Sequence, residues 1–323
     1  MTATPRGISS WLTNPIDHPL FFPTVERWGG LLVIALIGIL IAMRYREGKL
    51  RDDELFIRWR TWAFIAPVFL LGILGGALPR LLLITGLIMQ GLREYTKLVD
   101  LPTAYRNVLY GMALLVPPVA FLSLEGFYLM APMLLIVATL QPLLLGNIRN
   151  GVRHMAFAAF GWGYLAWFLG HALLIQQYIE GGLGIILTLG LAVAMSDVGA
   201  FIVGKTFGKH KLSQRLSPDK TIEGVFGNFI GAYAGVLIMS FALPGPIRTA
   251  AIIGLSILVG IGSLWGDLVE SAFKRDFGIK DAGAWLPGFG GLLDRIDSLL
   301  IVLPLSYYAL RLIGCRSGLL ICG

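Results

Sequence analysis

Apolar stretches of about 16–22 residues recur along nearly the whole chain, and polar clusters separate them. A bilayer's hydrocarbon core is about 30 Å thick, a distance that roughly 20 helical residues cross. Within it each backbone N–H and C=O must be paired inside the segment, so apolar runs of this length become helices. Ten spans are expected, at about residues 28–43, 61–78, 80–92, 104–122, 127–146, 155–176, 183–203, 223–243, 248–265 and 292–313. The third is short and follows Pro79, so the second and third form either a helical hairpin or one broken helix. Gly161, Gly163 and Gly170 suit close helix packing. The expected fold is an all-α polytopic membrane protein of about 9–10 transmembrane helices with a cytoplasm-facing polar site.

Composition agrees. The chain is 56% hydrophobic and 14% charged, with a mean hydropathy of +0.76; soluble domains carry roughly 25% charged residues. The net charge of +7 is explained by Lys and Arg flanking the spans, so no nucleic-acid partner is expected. Of the 26 Lys and Arg, 20 lie in residues 44–60, 93–106, 149–153, 205–220 and 274–295, the loops after the odd-numbered spans. That asymmetry puts those loops in the cytoplasm and both termini outside. Residues 1–27 do not resemble a cleaved signal, and Cys315 and Cys322 match no metal motif.

Charge is concentrated near the C-terminus. Residues 263–298 hold Asp267, Glu270, Asp276, Asp281, Asp294 and Asp297 together with Lys274, Arg275, Lys280 and Arg295. Charge beside membrane spans is expensive and marks function by default. Asp267 with Glu270, and Asp294 with Asp297, are i, i+3 pairs, each on one helix face. On facing helices they would suit one or two hard cations through oxygen ligands. A salt-bridged helix pair would explain the charge balance but not the intervening Pro287-Gly288-Phe289-Gly290-Gly291, whose glycines admit a ligand close to the backbone.

A second constellation lies upstream. Asp197 sits inside an apolar run and needs a cation partner or a helix–helix hydrogen bond. Lys205, Lys209 and Lys211 follow. In Ser217-Pro218-Asp219-Lys220-Thr221-x-Glu223-Gly224, Thr221 can cap a helix beginning near Ile222. The free N–H groups there, with Ser217, Lys220 and Thr221, suit a phosphate as well as they suit a plain capped helix start.

These two stretches resemble the phosphatidate cytidylyltransferase (CDP-diacylglycerol synthase) family. Its signature S-x-x-K-R-x(4)-K-D-x(5)-P-G-H-G-G-x-x-D-R-x-D runs from Ser271 through Lys274, Arg275, Lys280, Asp281, Pro287, Gly288, Gly290, Gly291, Asp294 and Arg295 to Asp297. Asp197, Ala200, Phe201, Gly204, Lys205, Gly208, Lys209, Ser217, Pro218, Lys220, Thr221, Glu223 and Gly224 match its upstream segments. The similarity runs from about residue 60 onward, leaving residues 1–60 as an N-terminal extension with one extra span and a basic cytoplasmic loop, and 61–323 as the membrane-embedded domain. One position departs: Phe289 stands where the family carries His, and Phe can neither donate a hydrogen bond nor titrate near neutrality.

The resemblance implies transfer of a cytidylyl group from CTP to phosphatidate, giving CDP-diacylglycerol and pyrophosphate, at an inner (plasma) membrane site facing the cytoplasm. It implies Mg²⁺, with room for a second cation, on Asp267, Asp294 and Asp297, with Asp197 as a further ligand. Ser217, Lys220 and Thr221 would hold CTP phosphates, with Glu223, Gly290, Gly291 and Arg295 completing the substrate site. Lys274, Arg275 and Lys280 would steady the leaving pyrophosphate or the lipid phosphate. The partners expected are CTP, phosphatidate and the bilayer; a homodimer stays open. Phe289 keeps alive a diverged paralogue acting on another lipid, of the polyprenol or phytol kinase type. A transporter is disfavoured, because the acidic residues cluster at one membrane face with basic residues and glycines.

Overall fold

The computed structural model describes residues 11–43, 53–146, 149–213, 215–245, 248–279, 283, 285 and 290–316. Helices occupy all ten expected span positions: α1 (Phe21–Met43), α2 (Glu54–Leu74), α3 (Ala77–Leu98), α4 (Thr103–Leu122), α5 (Leu124–Leu144), then α6 (Gly151–Gly161) and α7 (Phe168–Tyr178) joined by a π-helical turn at Trp162–Trp167, α8 (Gly182–Phe207), α9 (Ile222–Ile238), α10 (Arg248–Asp276) and α11 (Leu293–Arg316). Seven helical stretches among the described residues are long and apolar enough to cross a membrane. Their outward residues are large and apolar, as on α1 (Val33, Ile34, Ile37, Leu40, Ile41) and α5 (Leu129, Met133, Ile136, Leu140), which suits acyl chains. The protein is an all-α polytopic membrane protein.

The open question at Pro79 is resolved as two helices. Gly76 carries φ +109° and lies against the backbone of Trp11 to Thr13, so the chain turns there. Pro79 falls in the first turn of α3, where its missing N–H has no intrahelical partner to lose. The third helix is not short: it has 22 residues, because residues 93–98 end the apolar stretch without ending the helix. Two further features departed from expectation. A short antiparallel hairpin, β1 (Lys211–Ser213) with β2 (Ser217–Thr221), stands between α8 and α9. The sixth span is interrupted by the π-turn, a feature frequent at functional sites.

The tightest packing joins α8 and α9. Gly227, Gly231 and Gly235 form an i, i+4 stripe whose missing Cβ atoms would collide with Gly199, Met195 and Ala192. Of the glycines singled out earlier, Gly161 packs on Tyr95 and Gly170 on Phe127 and Val116, while Gly163 faces open space.

Hydrogen bonds tie the last four helices together. Ser196 Oγ on α8 donates to Ser263 Oγ on α10 (3.1 Å), and Ser298 Oγ on α11 donates to the Ser263 carbonyl (3.3 Å). Asn228 Nδ2 on α9 donates to the Gly260 carbonyl of α10 (3.1 Å).

Candidate active site

The serine contacts explain why three carboxylates converge. Asp197 follows Ser196, Asp297 precedes Ser298, and Asp267 lies one turn beyond Ser263. Gly266 completes the approach, since a Cβ there would strike the Asp297 carbonyl. Asp197 is within electrostatic reach of Asp267, Arg295 and Lys220, and Asp297 of Asp267, Glu270 and Asp197. Asp297 is buried at 5% exposure. Lys220 reaches over from β2, and its Nζ donates to Asp267 Oδ2 at 2.5 Å.

The hairpin is held against this cluster at several points. Arg275 Nε donates to the Leu216 carbonyl (3.3 Å). Thr221 caps α9 as expected, its Oγ1 accepting from Gly224 N at 3.1 Å. Ser217 pairs in register with Ser213, and Glu223 accepts from His210 at both its backbone N and its Nδ1 (3.2 and 2.7 Å). The two polar stretches, some 50 residues apart in the chain, thus meet at one end of the α8–α11 bundle.

A second cluster adjoins the first. Lys274 Nζ pairs with Glu270 Oε2 (2.7 Å) and with Asp294 Oδ1 (3.0 Å). Asp294 Oδ2 accepts from Gly291 N at 2.7 Å. Asp294 therefore turns back over the start of α11, while Asp297 faces α8 and α10.

A residue outside both sequence stretches completes this end. Glu94, buried on α3, accepts from Leu292 N (3.0 Å), Leu293 N (2.8 Å) and Gln90 Nε2 (2.9 Å). A carboxylate at a helix N-terminus satisfies orphan N–H groups and opposes the macrodipole. The same carboxylate explains the glycines: Gly290 carries φ +83°, and a Cβ on Gly291 would meet Glu94. The signal available in the sequence was only a carboxylate one turn after Gln90 at the edge of an apolar run. Lys280 and Phe289 lie outside the described residues.

Donor chemistry decides whether these residues suit a metal. Among the described residues no group of three or more His, Cys, Asp or Glu already forms a metal cage. Even so, Asp197, Asp267 and Asp297 supply hard oxygen donors from three helices and outnumber the facing cations, Lys220 and Arg295. Lys220 Nζ holds a positive charge against Asp267, so the cluster accommodates a cation.

Comparison with known proteins gives this arrangement a context. The chain is 34% identical over 288 residues to the Escherichia coli (strain K12) protein named "Uncharacterized protein YnbB", covering 87% of this chain and 95% of that one. It is 32% identical over 264 residues to the phosphatidate cytidylyltransferase of Bacillus subtilis (strain 168), covering 78% of this chain and 96% of the relative. Identity to the Staphylococcus haemolyticus (strain JCSC1435) phosphatidate cytidylyltransferase is 46%, over 124 residues that make up 38% of this chain and 48% of the relative. The model of the cytidylyltransferase family matches residues 56–313, which hold every element of the site just described. This membrane protein belongs to the cytidylyltransferase family and is an enzyme of that type.

Proposed function

We propose that the protein transfers the cytidylyl group of CTP to phosphatidate. A phosphate oxygen of the lipid attacks the α-phosphorus, the bond to the β-phosphate oxygen breaks, and CDP-diacylglycerol and pyrophosphate result. The observation that carries this reading is the meeting of Asp197, Asp267 and Asp297 with the Lys220 hairpin at the end of a membrane-embedded bundle.

The nucleophile is anionic at neutral pH, so a strong general base is unnecessary. The barrier lies in bringing two anions together in line. Lys220, Ser217 and Thr221 on the hairpin would hold the CTP phosphates, with Thr221 donating its O–H while its oxygen caps α9. Arg275, at the hairpin's edge, Lys274 and Lys280 would steady pyrophosphate and the lipid phosphate. Arg295 would balance Asp197. Glu223 orients His210 and the hairpin, and Gly290 and Gly291 keep the approach to α11 open.

Mg²⁺ held by Asp267 and Asp297, with Asp197 beside them, would screen phosphate charge and polarise the reacting phosphoryl group. Asp294 would join that set only by exchanging Lys274 for the cation. The positive-charge asymmetry supports a cytoplasm-facing site, where CTP arrives from water while phosphatidate stays in the bilayer.

The test uses purified full-length protein in mild detergent, with phosphatidate, Mg²⁺ and CTP labelled at the α-phosphate. Label should enter the lipid fraction and fail to do so with EDTA. Folded protein that labels no phosphatidate would overturn the reading. Phe289 favours one alternative, a paralogue with another lipid acceptor, for which polyprenol-type lipids would be labelled in phosphatidate's place.

A further inference from the structure

A pocket beside the carboxylates has no part in the mechanism above. Tyr95 and Leu98 of α3, Phe160 of α6, Tyr164 of the π-turn, Glu270, Phe273 and Lys274 of α10 and Leu293 of α11 line about 280 Å³, counting its open mouth. Pockets that enclose whole drug-sized ligands begin at roughly 300 Å³, so this one suits part of a molecule. Phe160, 38% exposed, stands toward the outer surface. The pocket sits where α10 ends and α11 begins, at a membrane edge.

Two polar atoms here have no hydrogen-bond partner among the described residues: Tyr164 Oη and Glu270 Oε1, both buried. A buried hydroxyl left unpaired is costly and calls for an explanation. Tyr95 shows the ordinary case, its hydroxyl donating to the Phe157 carbonyl at 2.9 Å. The surrounding rings pack on one another, with Phe160 4.9 Å from Phe273 and 5.1 Å from Tyr164 between centroids, so they form a firm wall.

The local charge narrows what could enter. Lys274 is already shared between Glu270 and Asp294, which leaves a net negative surrounding. A phosphate would be repelled there, and a bare acyl chain would leave Tyr164 unsatisfied. A neutral oxygen acceptor on an amphipathic molecule meets both conditions. At a membrane edge, a glycerolipid presents such a group in the ester carbonyls between its phosphate and its acyl chains.

We infer that Tyr164 is a specificity-determining contact that donates a hydrogen bond to an ester carbonyl of the lipid acceptor, whose glycerol region occupies this pocket. The inference rests on the lipid-acceptor reading proposed above. It makes the enzyme prefer ester-linked over ether-linked acceptors, since an ether oxygen accepts hydrogen bonds poorly.

The experiment compares wild type with Tyr164→Phe, using diacyl (ester) and dialkyl (ether) phosphatidate of equal chain length. Wild type should show a lower KM for the ester lipid, by about three- to ten-fold, the effect of one neutral hydrogen bond. Tyr164→Phe should erase that preference, leaving the KM for CTP and the thermal midpoint unchanged. A water-filled pocket without a lipid contact predicts the same ester-to-ether ratio in both proteins, and that result would overturn the inference. So would a change confined to the KM for CTP. Binding of short-chain ester and ether phosphatidate, followed by tryptophan fluorescence, gives a readout without turnover. Absence of cytidylyl transfer by wild type would then count against the function alone, and the binding ratio would still decide the role of Tyr164.

Discussion

Two carboxylate clusters lie side by side at the end of the α8–α11 bundle, and they are satisfied in opposite ways. Around Lys274 every element finds a partner within the protein: Lys274 bridges Glu270 and Asp294, Asp294 holds Gly291 N, and Glu94 holds Leu292 N and Leu293 N. Around Asp297, carboxylates from α8, α10 and α11 face one another, with Lys220 and Arg295 as the cations in reach. The first pattern fixes a helix in place. The second keeps excess negative charge in a partly apolar setting, which is costly unless a cation arrives from outside. Neighbouring acidic residues in one motif therefore divide between architecture and chemistry.

Substitutions should separate the two, and the largest effect is expected at Asp297. Asp297→Asn should reduce transfer of label from CTP to lipid by on the order of 10²–10³-fold, as removal of a transition-state charge stabiliser does. Its thermal midpoint in detergent should hold or rise, because one of several facing carboxylates is neutralised. Full activity in the folded variant would end the metal assignment.

Lys274→Met should do the reverse of that pattern and destabilise, by about 3–5 kcal/mol, since it leaves Glu270 and Asp294 without their shared cation. Adding Glu270→Gln should recover part of the loss in thermal denaturation. A Lys274→Met protein of wild-type stability but no activity would move Lys274 from scaffold to chemistry.

Glu94→Gln comes next, with about 1–3 kcal/mol lost as the forked contact to α11 weakens. Melting curves should show it while the KM for CTP stays near wild type; a selective rise in that KM would place Glu94 nearer the nucleotide than its contacts suggest. The smallest effect belongs to Ser196→Ala, at about 0.5–1.5 kcal/mol, because one neutral hydrogen bond between α8 and α10 is removed. If activity fell as steeply there as in Asp297→Asn, the serine contacts would prove to set the carboxylate geometry closely.

The spans were legible because a bilayer turns folding into a nearly one-dimensional rule: apolar length gives helices, and Pro and Gly mark the turns. The Thr221 cap was legible for the same local reason. Helix α3 ran past its apolar segment because hydropathy reads the membrane's edge, which is not the helix's end. The hairpin at 211–221 escaped notice because three- and five-residue strands between lysines carry no alternating apolar pattern.

The candidate site was legible only in part. Asp294 and Asp297, three residues apart, were read as facing one way; yet Asp294 belongs to the first turn of α11, where free N–H groups draw it back onto Gly291. The glycine pair was read as access for a ligand, while Gly291 also leaves room for Glu94, 197 positions earlier in the chain. Glu94 and Tyr164 had no motif to announce them, since their roles depend on helices distant in sequence.

From its own pattern the chain determined that it is a helical membrane protein, where its spans fall and which stretches carry the charge. Hydropathy and charge spacing act locally, and the bilayer enforces them without reference to the rest of the fold. Only the tertiary structure decided which carboxylate meets which cation, because burial and partnership arise between helices, and a side chain's role here depends on the neighbour that packing brings within about 3 Å.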